Sequence, residues 1–539
     1  MKYTPEQIYD EYKKGSEFKA SIGEKGLYEQ SRINERFYVG DQWYGAKCGN
    51  DRPLVRHNII KRIGDYKMSV LLSGPIDIYY SAEGVPNTLV ADRKNKKLRR
   101  TIATLGKASF SEELQNDEIS FVMSALNDYQ HVTAERLGFE ILAEKALKNA
   151  FISGTGIIYT YWDSDVKTGL YADEKRTTAI TGDIGCECIN LENVCFGDPY
   201  NEEVQSQPFI IIAASKERSA VIREAEHYGG QPRNILSDSP YEEDGKVTVY
   251  TRLWKEYGED GEPYVMAQKV TKNAVVRDKW NIGIRMYPIA KFCWENRKNL
   301  CYGDSEITYL IPNQIAINRM ITSGVWSAMT TGMPTMVVNG DVIDGEITND
   351  PGQIIKVFGN NDDVKNAISY ITPPDNSANF TGIIEPLINN TLSQSGANAA
   401  ALGEVSPENT SAIIQLRNAA KLPLTLMQNR YLAFLEELSR IWVEFWINGY
   451  GKRKIKIQDE NGTWYVDFDG ERYKDLLICA RAELSTYNSW NDSSSIETLN
   501  NLLEKGAITT KQYLKRLPKG LIGNISELID EMEEENDGN

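Results

Sequence analysis

The stretch ITYLIPNQIAINRMITSGVWSAMTTGMPTMVVNG, residues 307–340, contains a single charged side chain, Arg319. Pro312 suits the first turn of a helix, where its missing N–H costs nothing, and the helical pattern continues to about Thr331. Such a helix spans roughly 30 Å at ~1.5 Å per residue. It is apolar or small on nearly every side: Ile315, Ile317, Ile321, Gly324, Val325 and Ala328. A helix that is apolar all round must be covered all round. A bilayer is a poor cover here, because Asn313, Gln314, Asn318, Arg319 and several Ser and Thr interrupt the run. Two covers remain: the core of a large monomer, or other copies of the same helix in a ring.

The flanking sequence on the C-terminal side repeats the theme. Residues 333–374 read as a β-rich insert, with strands at Thr335–Asn339, Ile354–Phe358 and Ile368–Ile371 and turns at Asn339-Gly340 and Asp350-Pro351-Gly352. A second helix follows from about Ser377 to Gly396, and between Asn379 and Gly403 the only charge is Glu385. Two almost uncharged helices therefore flank one small β module. Residues 399–407, AAALGEVSP, form a loop of small residues with one charge, Glu404. Asn409 or Thr410 then caps a long helix to about Asn448, with apolar positions Leu424, Met427, Tyr431, Leu435, Leu438, Trp442 and Phe445. Pro423 falls inside this helix and predicts a kink. A hairpin, Lys454–Ile457 with Trp464–Phe468, is expected around Asn461-Gly462, and Arg481–Ser485 adds a strand. The remainder, from about Ser494, reads as helical and ends in an acidic, solvated tail, residues 533–539.

On the N-terminal side, Thr4-Pro5 marks a helix start, and one charged helix is expected to about Tyr38. A second helix runs from Asn58 to Leu72, followed by a strand at Ile76–Tyr80. Residues 91–106 are basic and expected to be exposed. A long helix, Ser111–Asn149, bends or breaks near Gly138. From Gly156 to Val276 the texture changes to strands: Ile157–Tyr161, Gly185–Ile189, Phe209–Ala213, Val247–Trp254, Tyr264–Val270 and Ala274–Arg277, with one helix at Ser219–Tyr228. The predicted class is α+β.

The chain has 539 residues, enough for two to four structural modules. Its 29 tyrosines and 10 tryptophans argue for order and suit extensive subunit contacts. A net charge of -16 argues against sequence-specific DNA binding, which usually needs a basic face. It fits either ordinary solubility or a surface that stays near DNA without sticking. The seven cysteines form no CxxC pair, so the chain reads as reduced and intracellular. Cys186, Cys188 and Cys195 have the wrong spacing for a zinc ribbon, and no histidine is near, so no metal or cofactor is expected. The N-terminus lacks a signal-peptide core, and no long strictly apolar run exists, so no membrane association is expected.

Catalytic signatures are missing. His57, His131 and His227 form no HxxxH or HExxH spacing, Gly154-Thr155-Gly156 lacks a third glycine, and no P-loop or GxSxG elbow occurs. No catalytic residue is assigned, and the chain is expected not to be an enzyme. A carboxylate pair assembled by folding would escape such a search, which leaves a large α+β enzyme with its site in residues 156–276 as one alternative.

The order of parts resembles the portal proteins of tailed bacteriophages: wing, stem, clip, stem, tunnel loop, long wing helix and crown. Five stretches carry the resemblance. They are RFYVGDQW (36–43), HNIIKRIGDYKMSVLLSGP (57–75), NVCFGDPYNEEVQSQPFIII (193–212), YGDSEITYLIPNQIAINR (302–319) and GEVSPENTSAIIQLRNAAKLPL (403–424). The likeness covers about residues 1–490 and lies in the order of the fragments rather than in any one of them.

The resemblance implies a portal-type α+β fold: N-terminal wing 1–303, stem helix 304–332, clip 333–376, second stem helix 377–398, tunnel loop 399–408, C-terminal wing 409–493 and crown 494–539. It implies a closed homo-oligomeric ring, usually a dodecamer, at one capsid vertex of the virion. Such rings are assembled in the host cytoplasm beside major capsid and scaffold proteins. Double-stranded DNA passes through the ring without sequence specificity during packaging and ejection. The clip binds the terminase large subunit and later a head-completion adaptor protein. An acidic or neutral lining suits passage of a polyanion that carries one charge per ~1.7 Å. By this likeness Ala400, Leu402, Gly403, Glu404 and Val405 would face the channel, with Lys421 and Pro423 beside them. Arg319, Ile321, Gly324 and Glu385 would lie between subunits. Another virion structural protein, of the tail or baseplate, is the nearer alternative.

Overall fold

The computed structural model describes residues 3–46, 53–72, 76–82, 112–171, 179–239, 245–259, 261–332, 335–344, 354, 356–371, 377–397, 422–459, 462–474, 478–484, 496, 499–506 and 508–514. In chain order the helices are α1 (Pro5–Ser21), α2 (Leu27–Val39), α3 (Ile59–Leu72), α4 (Glu112–Leu137), α5 (Phe139–Ser153), α6 (Arg218–His227), α7 (Glu306–Gly332), α8 (Asn361–Asn366), α9 (Ser377–Gln394), α10 (Thr425–Gly449) and α11 (Thr510–Leu514). The strands are β1 (Ile76–Ala82), β2 (Thr155–Tyr171), β3 (Ala179–Ile189), β4 (Val194–Phe196), β5 (Phe209–Glu217), β6 (Lys246–Tyr257), β7 (Pro263–Val270), β8 (Val275–Asn281), β9 (Ile289–Cys293), β10 (Thr335–Val338), β11 (Ile343–Asp344), β12 (Lys356–Val357), β13 (Ile368–Ile371), β14 (Lys452–Asp459), β15 (Gly462–Asp469) and β16 (Ile478–Leu484). Every pairing among the described residues is antiparallel. The class is therefore mixed α+β.

The chain divides into two compact units. The first comprises residues 1–34, 64–308 and 409–539; the second comprises 35–63 and 309–408. The second unit thus covers most of the stretch read as stem, clip and tunnel loop. It also takes in 35–63, which was read as wing.

In the first unit, strands β4 to β8 form a five-stranded meander in sequence order. Alternation gives the sheet two apolar faces. One packs Val247, Val249 and Val276 against Val221 and Ala225 of α6. The other packs Ile211, Ala213 and Tyr250 against Ile8 of α1, flanked by Tyr9 and Tyr12. A second sheet has the order β3-β2-β9. Trp442, Phe445 and Trp446 of α10 are buried, and Trp442 packs edge-on against Phe139 of α5. Strand β16 pairs with the distant β1, which returns the C-terminal part to the N-terminal body.

Three expected helices have different boundaries. The single helix to Tyr38 is two helices, α1 and α2. Its start is as expected: Thr4 and Gln7 form a reciprocal capping box. The break spans residues 22–26, where Gly23 and Gly26 are left-handed (φ 72° and 77°) and a Cβ at Gly26 would run into the Ala20 carbonyl. The break at Gly138 is where it was expected, with φ 59° between α4 and α5. Helix α7 begins at Glu306 rather than Pro312, so Pro312 lies inside it. Ser305 supplies the start, its Oγ accepting from the Ile307 N–H at 3.2 Å. Pro423 is the converse case. It stands in a 3-10 turn, Leu422–Leu424, ahead of α10, rather than inside the α-helix.

Among the described residues of the second unit, the β insert holds two small pairings, β10 with β13 and β11 with β12. The pairing Ile343–Asp344 with Lys356–Val357 adds a strand that sequence reading missed. The strand expected over Ile354–Phe358 is only Lys356–Val357.

Candidate functional site

The candidate site is built on the two charge-poor helices, α7 and α9. They touch at two levels. Asn313 Nδ2 donates to Thr391 Oγ1 at 3.3 Å, and a Cβ added to Gly324 would stand 3.4 Å from Phe380 Cβ. Residue numbers rise along one helix as they fall along the other, so the helices run antiparallel. At Gly324 α7 thus comes close to Phe380 of α9 in the same chain. Ile321 is half-buried.

A third element lies along α7. Gln314, Asn318 and Thr322 share one face at four-residue spacing, and all three bond to the segment 55–60. Gln314 Oε1 accepts from the Ile59 N–H at 3.0 Å and the Ile60 N–H at 3.4 Å, capping the first turn of α3. Its Nε2 donates to the His57 carbonyl at 2.7 Å and to Asn318 Oδ1 at 3.0 Å. Asn318 Oδ1 also accepts from the His57 N–H at 3.1 Å, and Asn318 Nδ2 donates to Gln42 Oε1 at 2.6 Å. Thr322 Oγ1 accepts from the Val55 N–H at 3.2 Å. These amides interrupt the apolar run because they strap residues 55–58 to the helix. The sequence shows the amides but no local sign of their partners, which lie more than 250 positions away.

The exposed surface of these elements mixes uncharged polar side chains, among them Ser323, Asn389, Asn390 and Ser393, with large apolar ones. Tyr309, Val325 and Met329 of α7 and Ile383 of α9 are exposed. In the β insert, Met336, Val337, Tyr370 and Ile371 are exposed, and so are Phe358 and Ile354, the latter by 88%. In the first unit, Leu422 and Leu426, four residues apart at the head of α10, are exposed by more than two thirds. Arg319 and Glu385 are also exposed, and among the described residues neither has an ion-pair partner. Ala400, Leu402, Gly403, Glu404, Val405 and Lys421 lie outside the described residues; Pro423 is exposed.

In the region 156–276, where an enzyme site would fall, several polar groups are paired within the chain. Asp183 accepts from Tyr450 Oη at 2.5 Å and pairs with Arg136 at 3.1 Å, and Arg453 stacks on Tyr450. Arg252 is clamped bidentately by Glu11 at 2.7 and 3.2 Å under the rings of Tyr3 and Phe209. Burial pushes the Cys186 and Cys188 thiols up to about 11, so both stay protonated near neutrality. Cys195 is elsewhere, its thiol 3.7 Å from the Tyr12 carbonyl. His131 lies in α4, His227 at the end of α6 and His57 in the strap. Among the described residues no three His, Cys, Asp or Glu gather as a metal site, and no helix is long and apolar enough to cross a membrane.

No protein-family model matches the chain, and no curated protein matches it.

Proposed function

We propose that the chain is the portal subunit of a tailed bacteriophage, a non-catalytic protein that closes into a ring at one capsid vertex. In this reading α7 and α9 are the stem and the β insert is the clip. The ring conducts double-stranded DNA in packaging and ejection, and the clip receives the terminase large subunit and then a head-completion adaptor.

The observation that supports this reading most is the set of exposed large apolar side chains of the second unit. Tyr309, Val325, Met329 and Ile383 are exposed on two charge-poor helices, where a lone soluble chain would carry polar residues. A further copy of the same hairpin is a fitting cover, and head-to-tail repetition of one contact closes a ring when the rotation matches. The net charge of -16 suits a conduit that must not hold a polyanion.

Negative-stain images of the purified chain test the reading. Annular particles with a central hole are expected. Monodisperse monomers that stay monomeric with scaffold and capsid protein would favour an enzyme; fibres or trimers would favour a tail or baseplate component. Deleting residues 400–405 is expected to leave rings intact and block packaging; normal packaging by that variant would remove the tunnel-loop assignment.

A further inference from the structure

The two charges on the uncharged hairpin stand at the same level. Arg319 is six residues on from Asn313, and Glu385 is six residues back from its partner Thr391. The second contact agrees: Arg319 is five residues before Gly324, and Glu385 is five residues after Phe380. At a rise of ~1.5 Å per residue the two side chains therefore leave their helices at one height.

They leave on opposite sides. A helix turns about 100° per residue. Asn313 and Gly324 mark the line on α7 that faces α9, and Arg319 lies roughly 130° behind that line in the direction of the chain. Phe380 and Thr391 mark the facing line on α9, and Glu385 lies roughly 130° ahead of it. In an antiparallel pair, opposite offsets of equal size point to opposite sides of the hairpin. The exposure of both side chains, and the lack of an ion pair for either among the described residues, agrees with this. The strap does not cover Arg319, because Gln314, Asn318 and Thr322 occupy a different face of α7.

We propose that Arg319 of each copy pairs with Glu385 of the adjacent copy, so that every subunit gives a cation to one neighbour and an anion to the other. The inference rests on the ring reading above. Rotation about a ring axis keeps each residue at a fixed height, so only charges at one level on opposite sides can meet repeatedly around a ring. Opposite charges in that arrangement attract head to tail and repel when a hairpin is inverted, which sets the direction of assembly as well as its register.

Two experiments on the full-length chain test the pairing. In the first, Arg319→Cys and Glu385→Cys are combined and oxidised. In a background with Cys48 and Cys479 replaced by serine, denaturing gels without reductant are expected to show a ladder of covalent multimers that needs both introduced cysteines; each single variant gives at most dimers. A compact monomer with an internal disulfide would overturn the proposal. In the second, Arg319→Glu and Glu385→Arg are each expected to lower the ring fraction at low salt by roughly tenfold or more, and the double swap to restore it. Wild-type rings with no ladder and no rescue would sink the pairing and leave the ring reading standing. A ladder from a wild type that forms only fibres would keep the pairing and sink the closed ring. Neither rings nor ladder would end both.

Discussion

The two compact units handle polar groups in opposite ways. In the first, charge is buried and matched within the chain. Lys19 is fully buried and gives its three N–H donors to the carbonyls of Leu191, Glu192 and Val194. Lys67 reaches Glu306 at 2.7 Å, and the other oxygen of that carboxylate takes the Trp294 Nε1–H at 2.9 Å. In the second unit the buried polar groups among the described residues are neutral, Gln42, Gln314, Asn318, Thr391 and Ser395, and Arg319 and Glu385 of the two long helices are exposed. A buried ion pair requires complete local partners. The first unit supplies them for Lys19 and for the Lys67–Glu306 pair, while Arg252 Nη1 and Arg453 Nη2 are buried without a hydrogen bond. The second leaves apolar surface and two charges open, as a surface completed by another chain would.

The largest effect that would break this contrast is expected at Glu306. Glu306→Ala strands the buried Lys67 ammonium and the Trp294 N–H together. Loss of one member of a buried pair costs about 3–5 kcal/mol. Denaturant unfolding should show a first unit destabilised by that amount, while Glu306→Gln, which still accepts from Trp294, should cost less. An unchanged midpoint for Glu306→Ala would mean that the first unit is not held by its buried charges.

In the second unit the matching change is Gln314→Leu. It removes the acceptor of two N–H groups at the start of α3 and the donor to the His57 carbonyl. Each buried group left unsatisfied costs about 1–3 kcal/mol, less where water reaches it. The expected sign is local: faster amide exchange at Val55 through Ile60, with the first unit unaffected. Equal exchange in variant and wild type would show that the strap is held by something other than the amide ladder.

The amide ladder also marks the limit of what the sequence discloses. The strands of the five-stranded meander were legible because alternation and Gly, Asn and Asp turns are local signals. The charge-poor helices were legible because a missing charge is as local as a present one. Gly138 announced its break, but the break at 22–26 was hidden by polar residues that suit either a helix or a turn. Pro312 misled because its ring was read as a helix start, whereas it lies in the second turn of α7 and leaves the Thr308 carbonyl without its helical donor. Of the candidate positions, Arg319 and Glu385 were legible as lone charges. That they share one level and point apart required the contacts at Asn313 and Gly324, which belong to tertiary structure.

A subtler difference between the units concerns pH. Burial on α10 pushes the carboxyls of Glu437 and Glu444 above their ordinary range; Glu437 is met by Gln205 Nε2 at 3.2 Å, and Glu444 by the Arg285 N–H at 3.1 Å. A carboxyl with a raised folded-state pKa binds its proton more tightly when folded. Stability from such a group is fully present below the unfolded value near 4.3 and falls as pH rises through the folded one. Glu437→Gln keeps an oxygen for Gln205 and removes the cost of a buried charge. The variant is thus expected to match wild type in acid and to exceed it increasingly as pH rises to neutral. A gap between variant and wild type that does not widen from pH 4 to pH 8 would refute the assignment.

The smallest effect separates the packing of the two units. A Cβ at Gly156 of β2 would run into the Ala146 carbonyl of α5, where backbone meets backbone and neither side can yield. At Gly324 of α7 the same Cβ meets only Phe380 Cβ at 3.4 Å, an ordinary contact. Gly324→Ala should therefore add helix propensity without strain, stabilising α7 by about 0.5–1 kcal/mol. The helical midpoint of the isolated subunit should rise slightly, and ring formation should persist, because the residue faces α9 of its own chain. Loss of rings on this substitution, with the subunit still folded, would move Gly324 to the boundary between copies and would rotate the hairpin away from the orientation that sets Arg319 and Glu385 on opposite sides.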